Sequence, residues 1–165
     1  MTEPRWLSED EQALWRLLLQ GIRKMDRCID ATLQLGSDIS SSEFAVLVHL
    51  SEAEGYGLRL RDLCHALDWD RSRTSHQITR MERRGLVQKM RCEGDARGVL
   101  VTITEDGLRR IRQAAPEHVE SVRRLLFDHL TKGQARALRE VLTSLMEVKN
   151  VPGAERSGCC GEGES

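Results

Sequence analysis

The sequence of 165 residues predicts a mainly α-helical fold with one small β-hairpin. Two spacings, Ser8-x-x-Glu11 and Ser40-x-x-Glu43, precede apolar runs and are typical of the capping boxes that begin helices. A β-branched run at residues 99–103 follows a turn that contains glycine, which is the pattern of a hairpin strand. Long apolar runs are absent, and none approaches the ~20 residues that a membrane-spanning helix needs.

The first two helices are predicted from their caps and their apolar spacing. Residues 8–35 carry apolar side chains at steps of three and four, which form one stripe along a helix. These side chains are Leu14, Leu18, Ile22, Met25 and Ile29. The second helix begins after Ser40, and its density of apolar residues predicts that it is short and buried.

Two further helices are predicted after a glycine-containing loop and a stub of strand at residues 58–60. The first of them ends near Trp69, and Asp70 is expected to cap the second. In that second helix, Thr74, Ile78 and Met81 follow at i, i+4 and i+7, so they form a narrow inward face. All other side chains of this helix are therefore expected to point outward.

The hairpin and the last helices complete the pattern. Residues 86–103 are predicted to form two strands with a charged, glycine-containing tip. Thr104 is expected to cap a long helix that Pro116 kinks or interrupts. Thr131-x-x-Gln134 opens a final helix, and residues 151–165 are expected to be disordered. The apolar side of that final helix consists of Ala135, Leu138, Leu142, Leu145 and Met146.

This order of elements describes a winged helix-turn-helix, in which one helix is presented to the major groove of DNA. The charge distribution supports that interpretation. Residues 59–97 hold ten basic and six acidic side chains, whereas the rest of the chain holds fifteen basic and twenty acidic ones. A chain of net charge −1 therefore contains a basic segment where phosphate contacts are expected.

The outward side of the helix after Asp70 is the candidate base-reading surface. Arginine can donate two hydrogen bonds to guanine, and glutamine can pair in the same way with adenine. A solvated polar face is the alternative interpretation, and the position between a turn and a basic hairpin favours DNA reading. The candidate residues are Ser72, Arg73, Ser75, His76, Gln77, Thr79 and Arg80.

The hairpin tip offers two further DNA-binding candidates. Arg97 stands beside Gly98, where a guanidinium could reach into a narrow minor groove. Asp95 could orient it through a bidentate pair. An ordinary turn with an exposed ion pair is the alternative, so the Asp-x-Arg spacing alone is weak evidence.

Taken in order, four motifs resemble the MarR-type winged-helix transcriptional regulators of bacteria and archaea, over residues 8–148. The N-terminal segment and residues 126–131 look similar to an actinobacterial branch of that family. The motifs are Leu60-Arg61-Asp62-Leu63, Ser72-Arg73-Thr74-Ser75-x-x-Ile78-x-Arg80-Met81-Glu82-x-Arg84-Gly85-Leu86-Val87, Asp95-x-Arg97-Gly98 and Val101-x-Ile103-Thr104-x-x-Gly107.

The resemblance implies a homodimer with dimerisation helices at residues 8–35 and 104–148 and a DNA-binding lobe at residues 40–103. The apolar stripes are compatible with a partner surface, although burial within one chain is the competing explanation. A two-fold dimer implies an inverted-repeat operator. The resemblance also implies a repressor that a small-molecule effector or cysteine oxidation releases from DNA. The alternative is a DNA-binding or protein-interaction scaffold of the same fold that senses no signal.

Three of the five cysteines are candidate redox residues. Cys92 fits best, because Arg91 and Lys89 would stabilise its thiolate. Cys64 and Cys28 fall beside apolar positions and are more simply explained as core residues. The tail pair, Cys159 and Cys160, is expected to undergo only incidental oxidation.

Other chemistry finds little support in the sequence. Glycine-rich phosphate loops, nucleophile elbows and His-Glu-x-x-His motifs are absent, so no enzyme, no catalytic residue and no cofactor is predicted. The spacing of the cysteines fits no zinc site. His118 and His129 could bind a regulatory metal, which is a minor alternative. Because the N-terminus lacks the features of a secretory signal, a cytoplasmic protein that makes no membrane contact is expected.

Overall fold

A computed structural model describes residues 4–91 and 98–151. Over these residues the chain forms six α-helices, three β-strands and two short 3-10 turns at Glu54–Tyr56 and Phe127–His129. The helices are α1 (Glu9–Ser37), α2 (Ser41–Glu52), α3 (Leu60–Leu67), α4 (Arg71–Arg83), α5 (Glu105–Leu125) and α6 (Lys132–Met146). The strands are β1 (Gly57–Arg59), β2 (Val87–Arg91) and β3 (Val99–Ile103).

The predicted helix caps are confirmed. Ser8, Ser40 and Thr131 each accept a hydrogen bond from the backbone N–H three residues later, and the side chain at that position bonds back to the cap. Asp70 and Thr104 accept the equivalent backbone bond at the starts of α4 and α5. Local sequence therefore determines where five of the six helices begin.

The hairpin belongs to a three-stranded antiparallel sheet with strand order β1-β3-β2. Gly57 pairs with Thr102, and Val87 pairs with Ile103. The first strand starts one residue earlier than residues 58–60, the range expected from the sequence. It adds a third strand to the predicted hairpin and so fixes the hairpin against the helix-turn-helix.

One hydrophobic core lies between α2, α4, the sheet and the adjoining ends of α1 and α5. The predicted inward face of α4 is confirmed, because Thr74, Ile78 and Met81 are fully buried. Helix α2 is short and buried, as predicted. The other large core side chains are Leu33, Ile39, Phe44, Val46, Leu47, Leu50, Leu63, Leu86, Val87, Val101 and Ile111.

The predicted interruption at Pro116 does not occur, since α5 runs as one helix from Glu105 to Leu125. Proline removes the N–H that would bond to the carbonyl of Arg112, four residues earlier. Both residues lie on the exposed side of α5, where water can bond to that carbonyl instead. Solvation therefore allows the helix to continue.

Large apolar side chains are exposed along α1 and α6. Leu14 is 67% exposed and Leu145 is 62% exposed, and no residue of α6 is buried. In α1, burial is confined to Leu33 and Ser37, near the end of a helix that extends two residues beyond its predicted boundary. The chain itself partly covers the later residues of the α1 stripe and the first residues of the α6 stripe. The remaining stripe residues are exposed: Leu14, Leu18, Ile22, Leu142, Leu145 and Met146.

Several sequence predictions lie outside the described residues. These concern Cys92, Asp95 and Arg97 at the hairpin tip, Cys159 and Cys160, and the tail beyond residue 151. Among the described helices, none has both the length and the apolar character that crossing a membrane requires.

Candidate nucleic-acid interface

The turn between α3 and α4 is fixed by backbone hydrogen bonds. Asp68 adopts a left-handed conformation with φ of 52°, and its N–H donates to the carbonyl of His65 at 3.3 Å. The N–H of Trp69 donates to the carbonyl of Cys64 at 3.1 Å. These are the two bonds of a Schellman motif. Asp70 then caps α4, so the end of one helix and the start of the next are both determined.

Helix α4 directs its polar side toward solvent. The seven candidate base-reading side chains all lie on this side. Gln77 and Thr79 are partly buried, and the remaining five are exposed: Ser72, Arg73, Ser75, His76 and Arg80. The surface can therefore offer guanidinium, amide and hydroxyl donors at once.

The guanidinium carbon of Arg73 lies 4.3 Å from the centroid of the Trp69 ring. That distance is within the range of a cation–π contact. Arg73 was among the predicted base-reading residues, whereas its aromatic neighbour Trp69 was not predicted to contact it. A Trp four residues before an Arg across a helix start is the local signal that could have indicated this contact.

Strand β2 is attached to α4 by an ion pair. The Nζ atom of Lys89 lies 2.8 Å from a carboxylate oxygen of Glu82 and donates to the hydroxyl of Thr79 at 3.2 Å. The backbone N–H of Lys89 also donates to Glu82. These bonds from Lys89 lower the pKa of Glu82 below its ordinary value. One basic residue of the hairpin is thereby held beside the polar side of α4.

The C-terminal end of α4 is attached to α2 through a nearly buried carboxylate. Arg84 donates from Nη1 to both carboxylate oxygens of Glu43, at 2.9 and 2.8 Å. The Glu43 side chain is 2% exposed and that of Arg84 is 37% exposed. Through Nη2, Arg84 also donates to the backbone carbonyl and the carboxylate of Asp38.

Arg110 joins α5 to the same cluster. Its Nη1 atom lies 3.1 Å from the Asp38 carboxylate and donates to the carbonyl of Ser37 at 3.2 Å. Its Nε atom pairs with Asp106. The cluster therefore joins the end of α1, the start of α2, the end of α4 and the start of α5. Sequence reasoning recognised Glu43 as a capping residue only, because its arginine partner is 41 residues away.

The described cysteines differ in exposure. Cys64 is buried at 1% exposure, as expected of a core residue, so an oxidant has little access to it. Cys28 is partly buried. Neither lies on the polar side of α4.

The histidines considered for a metal have other surroundings. The ring of His118 packs on Phe44 at a centroid distance of 4.4 Å, and burial lowers its pKa. A ring nitrogen of His129 lies 2.8 Å from the carbonyl of Arg124. In the described part of the chain, no three His, Cys, Asp or Glu side chains are grouped closely enough to hold a metal ion.

Comparison with known proteins assigns the family. Residues 37–98 match the MarR family model, which covers the helix-turn-helix and part of the hairpin. The chain is also 30% identical to the HTH-type transcriptional regulator PecS of Dickeya dadantii over 117 residues, which is 69% of this chain and 70% of PecS. The chain belongs to the MarR family. It is a transcriptional regulator and not an enzyme, as predicted.

Two MarR-family structures from Streptomyces coelicolor are similar over most of the chain. AbsC is 40% identical with a TM-score of 0.83, and the match covers 87% of this chain and 97% of AbsC. Sco3205, whose structure is a complex with DNA, is 33% identical with a TM-score of 0.83. The match covers 87% of this chain and 91% of the Sco3205 chain. These similarities confirm the predicted winged helix fold and fit the actinobacterial branch.

Proposed function

We propose that this MarR-family regulator binds an inverted-repeat operator as a homodimer and represses transcription by placing α4 in the major groove. The observation that carries the proposal is the division of α4 into two sides. Three residues of the helix are buried in the core, and the side chains from Ser72 to Arg80 that can pair with bases face outward. The DNA complex of the similar Sco3205 supports this use of the fold.

Basic residues beside α4 are proposed to contact phosphate and the minor groove. Lys89 is held against the helix by Glu82 and Thr79, and Arg91 is exposed at the end of β2. Arg97, with Asp95 beside it, is assigned to the minor groove from the sequence, since both lie outside the described residues. Phosphate contacts of this kind make affinity fall as salt rises.

The exposed apolar sides of α1 and α6 are assigned to the dimer interface. A monomer seldom exposes so many large apolar side chains on two elements. Under this assignment, residues 8–35 and 104–148 join the two protomers and residues 40–103 form each DNA-binding lobe. Two-fold symmetry would then set the two copies of α4 about 34 Å apart, with half-sites about 10 bp between centres.

Release from DNA is proposed to follow binding of a small molecule or oxidation of a cysteine. Burial of Cys64 and partial burial of Cys28 leave Cys92, which directly follows Arg91 in the sequence, as the favoured thiol. Oxidation there would act on the hairpin that carries Arg97.

The proposal can be tested by fluorescence anisotropy on a duplex that the protein selects from a random pool. Arg73→Ala, Arg80→Ala and Arg97→Ala are each expected to weaken binding, by about 1–3 kcal/mol where a base contact is lost. Arg112→Ala, a change of an exposed arginine on α5, is the matched control. Unchanged affinity in all three variants would contradict the assignment of these residues.

Redox and ligand release are separated by a second series on the same duplex. Peroxide is expected to abolish binding and a reductant to restore it if the thiol is the sensor, and Cys92→Ser should then resist peroxide. Binding that is indifferent to peroxide would reject the thiol and leave small ligands as the trigger.

A further inference from the structure

We propose that Trp69 is a positioning residue that holds the guanidinium of Arg73 in place for base recognition. This inference rests on the proposed function, because it concerns a residue of α4 that would read DNA. The observation behind it is the distance of 4.3 Å between the guanidinium carbon and the centroid of the indole ring.

The ring of Trp69 is itself held in place. The backbone of Trp69 donates the longer-range bond of the Schellman motif to Cys64, so its position relative to α3 is fixed. Its side chain packs against the hydrophobic core and is only partly exposed. The indole is therefore a rigid platform rather than a mobile surface group.

Arg73 is placed where a recognition helix contacts bases. It is the third residue of α4, and its backbone N–H donates to the carboxylate of Asp70 at 2.8 Å. The first turn of a recognition helix is the part that reaches base edges. The side chain of Arg73 is exposed, so without its neighbour it would sample many rotamers.

Contact with the ring restrains Arg73 and leaves its N–H groups available as hydrogen-bond donors. An aromatic ring attracts a cation through the charge of its face, whereas the N–H groups of a guanidinium lie in the guanidinium plane. Those N–H groups remain available to the two acceptors of guanine. The loss of rotamer freedom is then largely complete before DNA binds, which strengthens the sequence-specific complex.

A double-mutant cycle separates this role from a packing role. Affinity for the selected duplex and for a shuffled duplex is measured for Trp69→Leu, Trp69→Phe, Arg73→Ala and the two double variants that include Arg73→Ala. Trp69→Leu is expected to weaken binding to the selected duplex about 2- to 5-fold, as for an exposed cation–π contact. Trp69→Phe, which keeps a ring, should lose less.

The decisive comparison is the Arg73→Ala background, where Trp69→Leu should have no further effect. The positioning role would be overturned if Trp69→Leu weakened DNA binding equally in both backgrounds, or if it did not weaken binding when Arg73 is present. If Trp69→Leu does not fold, Trp69→Met in both backgrounds applies the same criterion, because methionine fills irregular apolar space without an aromatic ring. Failure of the proposed function would look different, because the wild-type protein would then bind the selected and shuffled duplexes equally.

Discussion

Removing the Arg84 side chain is expected to destabilise the fold strongly. Arg84→Ala leaves the carboxylate of Glu43, only 2% exposed, without the two hydrogen bonds that Nη1 donates to it. Removing one partner of a buried ion pair costs about 3–5 kcal/mol. Because the Arg84 side chain is 37% exposed, solvent screens part of this pair, and we expect a loss of about 2–3 kcal/mol.

The assay is urea unfolding followed by far-UV circular dichroism, at fixed protein concentration because the stability of the proposed dimer would depend on that concentration. The matched control is Arg83→Ala, which removes an exposed arginine one residue earlier in the same helix end. Adding Glu43→Gln to Arg84→Ala should recover part of the loss, since glutamine removes the charge and still suits a capping box. A loss no larger than that of Arg83→Ala would refute the reasoning.

Three further changes have definite expected results. Gly107→Ala should cost about 1–3 kcal/mol in urea unfolding, because its added Cβ would collide with the backbone carbonyl of Leu86. Burial lowers the pKa of His118 in the folded protein. As pH falls below about 6.5, the unfolded chain therefore binds a proton at this histidine more readily than the folded chain does, and the free energy of unfolding decreases. His118→Gln should make that decrease smaller. Leu142→Glu should convert the proposed dimer into a species of 18.7 kDa in light scattering, because it places a charge on the exposed apolar side of α6.

Each of these changes has a matched control. Gly133→Ala, where a Cβ meets open space, should cost little, and an equal loss would contradict the collision. His65→Gln, which changes an exposed histidine, is the control for His118→Gln. If both variants altered the pH dependence of stability equally, the role of burial would be contradicted. Arg136→Glu, which changes an exposed residue of α6, should leave the mass measured by light scattering unchanged. A mass of 18.7 kDa for the wild-type protein would contradict the proposed dimer.

The parts of the fold that local chemistry determines could be predicted from the sequence. Ser8, Ser40, Asp70, Thr104 and Thr131 begin helices because each side chain bonds to a backbone N–H only three residues away. The inward face of α4 followed from helical periodicity in the same way. Such interactions need no knowledge of the tertiary structure.

Contacts between distant segments could not be predicted. Arg84 looked like one of many basic residues, and only the fold brings it to Glu43 and Asp38. Pro116 was expected to kink or interrupt α5. The interruption does not occur, since water can bond to the freed carbonyl on the exposed side of the helix, and a kink there stays a prediction. The sequence lacks this information because solvent exposure is a property of the folded chain.

The candidate site shows the same difference between what residue type indicates and what the fold determines. The polar residues of α4 were identified from spacing and charge, whereas the ring that contacts Arg73 and the ion pair that holds Lys89 were not. Side chains that present donors can be identified from residue type. Side chains that hold them in position depend on distances that only the structure supplies.

Competition between duplexes measures whether the protein binds DNA sequence-specifically. The wild-type protein is incubated with a labelled duplex that it has selected, at physiological salt, and challenged with unlabelled selected or shuffled duplex. We expect an inverted repeat in the selected sequence and a preference for it of at least about 10³-fold over the shuffled duplex. Selection without an inverted repeat, or equal competition by both duplexes, would contradict it.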